Sequence, residues 1–248
     1  MKNLVISLVK ASLLIFLLLI IYNNFLMLDD FHPSYNSLSI ESKETNAGND
    51  TGFFIHINLD SLQLCLYKDG SLIRSYPVSG GKTETPSPTG TWKIISKSTW
   101  GEGFGGSWMG LNVPWGNYGI HGTKSPWFVG KSNASHGCIR MNSKDAKELY
   151  GMVPHGTKVT IVQNNKPFRT LQAGDIGSDV LMIQKALKKL GYFNDWASGK
   201  FGDNLKRSVI KYQKGNSLKV TGTVSKTLYD VILQNYKDKL KEEQIKFE

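Results

Sequence analysis

Tyr118-Gly-Ile-His-Gly-Thr123 and Ser135-His-Gly-Cys-Ile-Arg-Met141 are the stretches on which the reading of this chain turns. The first holds a histidine in a His-Gly-Thr turn. The second sets Cys138 between a glycine and a β-branched residue, at the end of a loop able to expose it. A thiol is a useful nucleophile only as thiolate, and a nearby imidazole is the usual means of taking its proton. Two histidines are close in sequence, His121 and His136. His121 lies on a separate segment and can face the thiol across a cleft, whereas His136 is only two residues before it. A cysteine with a histidine from another segment is the arrangement expected for covalent acyl transfer. His121, His136 and Cys138 are also conceivable zinc ligands. Their spacing is not that of a zinc site, however, and no further cysteine or glutamate joins them. Neither a metal nor a cofactor is expected.

Outward from these stretches the pattern is one of short strands. Phe53 to Leu59 is β-rich, Ser61 to Tyr67 alternates, and Lys68-Asp-Gly-Ser71 reads as a hairpin turn returning through Leu72 to Val78. Thr91 to Ile95 is a further strand, after a proline-rich loop at Thr85 to Gly90. Short strands between Gly and Pro turns predict a mainly-β barrel or sandwich. His56 falls inside a strand and reads as structural. Trp100 to Trp108 is rich in glycine and aromatics, which lets backbone approach a ligand beside an aromatic wall. Asn142 is a capping residue opening a short helix to Tyr150, ended by Gly151 and Pro154. His155 sits in a turn before a closing strand to Val162.

Beyond Asn164-Asn-Lys-Pro167 the period becomes helical. Val180, Ile183, Leu187 and Leu190 stripe one helix, Leu205, Val209 and Tyr212 a second, and Leu228, Val231 and Ile232 a third. The last dozen residues are charged and read as an extension of that helix.

The 248 residues suggest one or two domains. The net charge of +10 is spread along the folded part. Residues 51–170 hold thirteen basic and six acidic residues, and residues 171–248 fourteen and nine. Such spread charge suits an acidic surface partner, or plain solubility, rather than one sequence-reading helix. No nucleic-acid recognition motif accompanies it, and no nucleic-acid partner is expected. Two cysteines exclude a disulfide scaffold. Cys65 reads as a small buried strand residue with no reason to pair with Cys138. At the N-terminus, Lys2 and Lys10 precede an apolar run from Ala11 to Leu28, followed by Asp29 and Asp30. The run is near the lower limit for spanning a bilayer, and its flanking charges place the remainder outside the cytoplasm. No Ala-x-Ala-like cleavage site follows, which favours an uncleaved membrane anchor over a secretory signal.

His121-Gly-Thr followed by Ser135-His-Gly-Cys-Ile-Arg-Met resembles the signature of the L,D-transpeptidase (YkuD-type) catalytic domain. Leu62 to Leu72, Thr85 to Trp92 and Trp108 to Gly116 resemble that family too, in its order. The helical stretch is similar to the small three-helix peptidoglycan-binding module, by Gly174-Asp, Ser178-Asp-Val, Leu190-Gly-Tyr and Lys200-Phe-Gly202. It has Ser198-Gly199 where that module often has Asp-Gly. The division expected is an anchor over 1–28, a tether over 29–51, the catalytic domain over 52–163, a linker over 164–170, the binding module over 171–236 and a charged tail over 237–248.

The resemblance implies acyl transfer through a thioester. Cys138 attacks a D-alanyl-terminated stem peptide and expels D-alanine, and an amine from a neighbouring stem takes the acyl group. His121 is the base, and the family implies that the Gly122 carbonyl orients its imidazole in place of an aspartate. The His136-Gly137-Cys138 backbone is the expected oxyanion site, with Gly137 permitting the needed turn, and one such donor contributes about 3–4 kcal/mol. Arg140 is suited to a substrate carboxylate, an internal ion pair being its alternative role. Trp108 is expected to line the substrate cleft. The partners implied are peptidoglycan and, through the N-terminal helix, the membrane. The expected protein is thus a membrane-anchored cell-wall crosslinking enzyme. An L,D-carboxypeptidase, or a catalytically silent wall-binding protein, is the alternative.

Overall fold

Period-two alternation and tight turns build eight strands in the first half of the folded chain, and helical stripes build three helices in the second. The computed structural model describes residues 52–99 and 101–245. The membrane segment and tether expected before residue 52 lie outside these residues. Among the described residues, no helix is long and apolar enough to cross a membrane.

The strands are β1 (Phe53–Asn58), β2 (Gln63–Lys68), β3 (Ser71–Pro77), β4 (Gly90–Ser98), β5 (Trp108–Leu111), β6 (Tyr118–Thr123), β7 (Ile139–Asn142) and β8 (Lys158–Val162). They hydrogen-bond in the order β3-β2-β1-β8-β4-β5-β6-β7. Pairing is antiparallel except between β1 and β8 and between β6 and β7. Just past β3, Ser79 and Arg140 of β7 exchange backbone N–H···O bonds of 2.9 and 2.8 Å. The two ends of the strand order meet there, so the sheet is barrel-like rather than an open sandwich.

Alternate side chains fill the barrel, among them Ile55, Ile57, Leu64, Leu66, Ile120, Ile139 and Ile161. Cys65 lies between Leu64 and Leu66 and therefore faces outward, half-buried, its Sγ 3.9 Å from Ser75 Oγ. The expected core position for Cys65 is corrected by that alternation. The helix α1 (Ser143–Met152) covers β6 and β7 and buries Ala146 and Leu149. Asn142 does not cap it as expected: its side-chain amide donates to the Asp145 carboxylate at 3.0 Å and makes no cap bond to the backbone. At the other end Lys97 Nζ donates to the carbonyls of Tyr150 and Val153, both at 2.7 Å, where a cation complements the helix C-terminus.

The helical module holds α2 (Ser178–Lys189), α3 (Asp203–Gly215) and α4 (Lys226–Ile245). Val180, Ile183, Leu187, Leu205, Val209, Tyr212, Leu228 and Ile232 form its core with Phe193 and Phe201. Val231, expected on the core stripe, is 38% exposed, because Leu228 and Ile232 four residues apart already define the buried face. The charged stretch after 236 continues α4 as helix, tied to α2 by the Lys189–Glu243 ion pair.

The linker is held at both ends. Asp60 of the barrel accepts the N–H groups of Asn164 and Asn165 at 2.7 and 3.2 Å. Arg169 donates to the Asp179 carboxylate through Nε and Nη2, at 2.8 and 3.1 Å, and to the Ile176 carbonyl at 2.8 Å. Burial opposes the Asp179 charge, but its hydrogen bond to Arg169 and the neighbouring cations outweigh this and hold the carboxyl below the usual carboxylate range. A depressed folded pKa contributes stability that is present above about pH 4 and is lost as pH falls through the folded value. Asp179→Asn should therefore lower stability at pH 7 by roughly 1–3 kcal/mol. The gap to wild type should close toward pH 3, which thermal melts at the two pH values will read.

Candidate active site

The parallel pairing of β6 with β7 sets Ile120 opposite Ile139 and His121 opposite Arg140. The two isoleucines point into the barrel, so alternation turns His121 and Arg140 to the other face. Cys138 directly precedes β7. One cleft of about 320 Å³ is lined by Phe104, His121, His136, Cys138 and Arg140, with the 123–125 segment at its edge. That volume lies within the usual small-ligand range of about 300–1,000 Å³.

His121 is held from three sides. Its ring stacks on Trp108, with centroids 5.6 Å apart, and meets Phe104 edge-on at 4.9 Å. Its Nδ1 lies 2.6 Å from the Gly122 carbonyl oxygen. A carbonyl only accepts, so Nδ1 carries the proton and Nε2 keeps its lone pair. The Gly122 contact expected from the family resemblance is thus present. Burial pushes the imidazole pKa down; the Gly122 bond opposes this, and the Arg140 charge reinforces it. Burial likewise pushes the Cys138 thiol up, against a backbone hydrogen bond from Gly119 and the charge of Arg140. Both shifts favour a neutral resting pair, a thiol beside an imidazole able to accept its proton.

The loop carrying Cys138 is organised by Ser135, which is fully buried. Its hydroxyl donates to the Cys138 carbonyl at 2.6 Å and accepts the Gly137 N–H at 2.9 Å. Its backbone pairs with the Gly80 to Lys82 segment: Ser135 N–H to Gly80 O at 2.8 Å, Lys82 N–H to Ser135 O at 3.0 Å. Gly137 stands at φ +116° beneath Tyr118, where a Cβ would lie 2.6 Å from a ring carbon. A side chain there would be strained in backbone and blocked by the ring. The Cys138 Sγ is 4.0 Å from the Asn117 carbonyl.

Two expectations change. The Gly137 N–H is committed to Ser135, which leaves the N–H groups of His136 and Cys138 as the oxyanion candidates of this loop. Trp108 is 8% exposed and does not line the cleft; it backs the His121 ring, and Phe104 supplies the aromatic wall instead. Arg140 is half-buried at the cleft, and among the described residues no carboxylate pairs with its guanidinium. His136 is exposed at the cleft rim, His56 lies on β1 and His155 is exposed in its turn, the last two apart from the cleft. Sequence reading overlooked Ser135 and Phe104. A serine two residues before a glycine in a loop is a signal for the local side-chain-to-backbone bond that Ser135 makes. Nothing local in sequence marks Phe104, which reaches the imidazole from a separate segment.

The helical module carries a second cleft, of about 340 Å³, between Asp195, Trp196, Lys200, Asp203 and Asn204. Trp196 is 71% exposed at its edge.

Residues 52–161 match the L,D-transpeptidase catalytic domain family and residues 176–232 the family described as "Putative peptidoglycan binding domain". The chain is 40% identical over 110 residues to "Putative L,D-transpeptidase YkuD" of Bacillus subtilis, a match covering 44% of this chain and 65% of that protein. It is 26% identical over 153 residues to L,D-transpeptidase 1 of Mycobacterium tuberculosis, covering 53% of this chain and 60% of that protein. The chain thus spans somewhat less than two thirds of the length of these relatives. Among solved structures, an L,D-transpeptidase from Mycobacterium smegmatis aligns with a TM-score of 0.42 and 22% identity, over 45% of this chain and 59% of that one.

The neutral resting pair has a direct readout. Alkylation of Cys138 by iodoacetamide should be slow at pH 7 and should rise with a midpoint above that of an ordinary thiol. Arg140→Ala, which removes a cation favouring the thiolate, should move the midpoint further up. Peptide-resolved mass spectrometry across pH 5 to 10 reads both. A rate already at its plateau near pH 5 would instead mean a resting thiolate–imidazolium pair.

Proposed function

We propose, from the match of residues 52–161 to the L,D-transpeptidase catalytic domain family and of residues 176–232 to a peptidoglycan-binding family, that this chain is a cysteine transpeptidase acting on peptidoglycan stem peptides. The observation that carries the reading is one cleft holding Cys138, His121 with its Nε2 lone pair free, and Arg140 with no carboxylate partner among the described residues.

Cys138 Sγ attacks the carbonyl that links the stem peptide to its terminal D-alanine, and His121 Nε2 takes the thiol proton as the S–C bond forms. Oriented N–H groups at His136 and Cys138 receive the oxyanion; donors of this kind each contribute about 3–4 kcal/mol. Collapse breaks the C–N bond, His121 returns the proton to the leaving amine, and D-alanine departs from a thioester. An amine of a neighbouring stem then attacks the thioester, His121 takes its proton, and the thiol is regenerated. Gly122 keeps the imidazole in the required tautomer throughout, the part an acidic residue plays in other triads. Arg140 meets the carboxylate of the donor. Burial, reinforced by the Arg140 charge, keeps the imidazole neutral until the thiol yields its proton.

In this reading the catalytic unit spans 52–163, the linker 164–170 and the binding module 171–236, with α4 continuing beyond. The module holds the enzyme on the wall, and the Trp196 cleft offers an amphipathic indole beside polar groups for that purpose. The run Ala11–Leu28 anchors the protein in the membrane with its folded part on the outer side. The lysines before the run and the aspartates after it support that orientation.

The test is intact-mass analysis of the full chain in mild detergent with a disaccharide-tetrapeptide, beside Cys138→Ala and His121→Ala. Wild type should form an adduct on Cys138 and a crosslinked dimer, and both variants should fall by at least about a thousandfold. Release of D-alanine without dimer would turn the assignment to a carboxypeptidase. No adduct and no product, with sacculi still bound, would leave only the wall-binding role.

A further inference from the structure

The loop between β5 and β6 touches the nucleophile at one end and the helical module at the other. At the first end, the Asn117 carbonyl lies 4.0 Å from Cys138 Sγ, the Gly119 backbone bonds the same sulfur, and the Tyr118 ring lies against Gly137. At the second end, Trp115 meets Gly199, the turn residue between α2 and α3. A Cβ on Gly199 would come within 2.3 Å of an indole carbon, and Gly199 stands at φ +71°. Between the two ends the rings join in sequence: Trp115 packs edge-on against Trp92 of the barrel at 5.4 Å and against Tyr118 at 6.2 Å.

The module's side of this junction is rigid. Buried Gln184 of α2 accepts the Gly199 N–H at 2.7 Å and donates to the Lys200 carbonyl at 3.0 Å. The Gly199 carbonyl accepts the Gly177 N–H at 2.9 Å. Two more apolar residues of the module, Leu181 and Ala197, pack with the barrel core rather than with the module's own. A close-packed ring against a glycine transmits displacement instead of absorbing it, since dense interiors deform little.

We propose that the helical module is a positioning element for the nucleophile, acting through Trp115. The docked Gly199 turn sets Trp115, Trp115 sets Tyr118 and the Asn117–Gly119 backbone, and these fix the sulfur and its loop. The module then does more than hold the enzyme on the wall: an undocked module leaves Cys138 reachable but misplaced. This rests on Cys138 being the nucleophile, and the experiment separates the two ideas.

The full chain in detergent is compared with Trp115→Ala, Trp115→Phe and Gly199→Val. Gly199→Val leaves every barrel residue intact and forces the turn off the indole, so it carries the test where Trp115→Ala folds poorly. Melting temperature and sacculus binding report folding of barrel and module. Two rates are read: acylation of Cys138 by the disaccharide-tetrapeptide, and alkylation of Cys138 by iodoacetamide relative to Cys65 of the same molecule. Cys65 lies on β2, away from the junction, and serves as the internal control. Folded Gly199→Val and Trp115→Ala should lose roughly tenfold to a hundredfold in acylation, the scale of a small misplacement of a reacting atom. Their Cys138 to Cys65 alkylation ratio should rise, and Trp115→Phe should recover most of the acylation rate. A folded Gly199→Val with wild-type acylation overturns the proposal. Should wild type itself not acylate, the function above fails, and the alkylation ratio alone decides: unchanged in Gly199→Val, it overturns the positioning role.

Discussion

Closure of the sheet between Ser79 and Arg140 is the constraint on which the site depends. Those two backbone bonds bring the end of β3 against β7, and β7 in turn lies parallel to β6. A parallel pair cannot be joined by a tight turn and needs a longer crossover. Here the crossover runs from Lys124 to Cys138, and it must return the chain to the side of the barrel where β6 presents His121. The nucleophile and its base come together because two strands are paired, with neither side chain bonded to the other.

The site is organised almost entirely by backbone. Gly122 supplies a carbonyl to the imidazole, Ser135 ties both ends of the Cys138 turn, and Asn117 and Gly119 hold the sulfur. Among the described residues no carboxylate orients the histidine. A backbone carbonyl fixes the tautomer without adding negative charge, and negative charge beside the imidazole would favour its protonated form. The half-buried Arg140 lowers the pKa of both groups, which keeps the imidazole unprotonated and favours the thiolate. The arrangement keeps the imidazole a base while lowering the cost of the thiolate that it creates.

The barrel and the helices share apolar surface and a pinned linker, unlike a pair of beads on a string. Asp60 takes two linker amides on the barrel side, and Arg169 takes Asp179 on the helical side. Leu181 and Ala197 fill the barrel's cluster, and Trp115 closes the seam. Short tethered linkers with buried apolar contact favour one relative placement, because freeing the module would expose that surface to water.

By itself the sequence determined the kinds of element and the reactive pair. Alternation at Phe53 to Tyr67 needs only a period of two, the stripe Val180, Ile183 and Leu187 only a period of 3.6, and Cys138 with His121 only a motif that keeps its order. Tertiary structure alone decided which face each residue takes and who holds whom. Cys65 is outside because Leu64 and Leu66 claim the core, and Val231 is outside because Leu228 and Ile232 do. Trp108 supports the imidazole where Phe104 walls the cleft, and the Gly137 amide is spent on Ser135. Trp115 and Gly199, more than eighty residues apart in the chain, meet only in the folded molecule. Such facts depend on contacts between distant segments, whose partners are chosen by packing and closure and leave no periodicity in the chain to read.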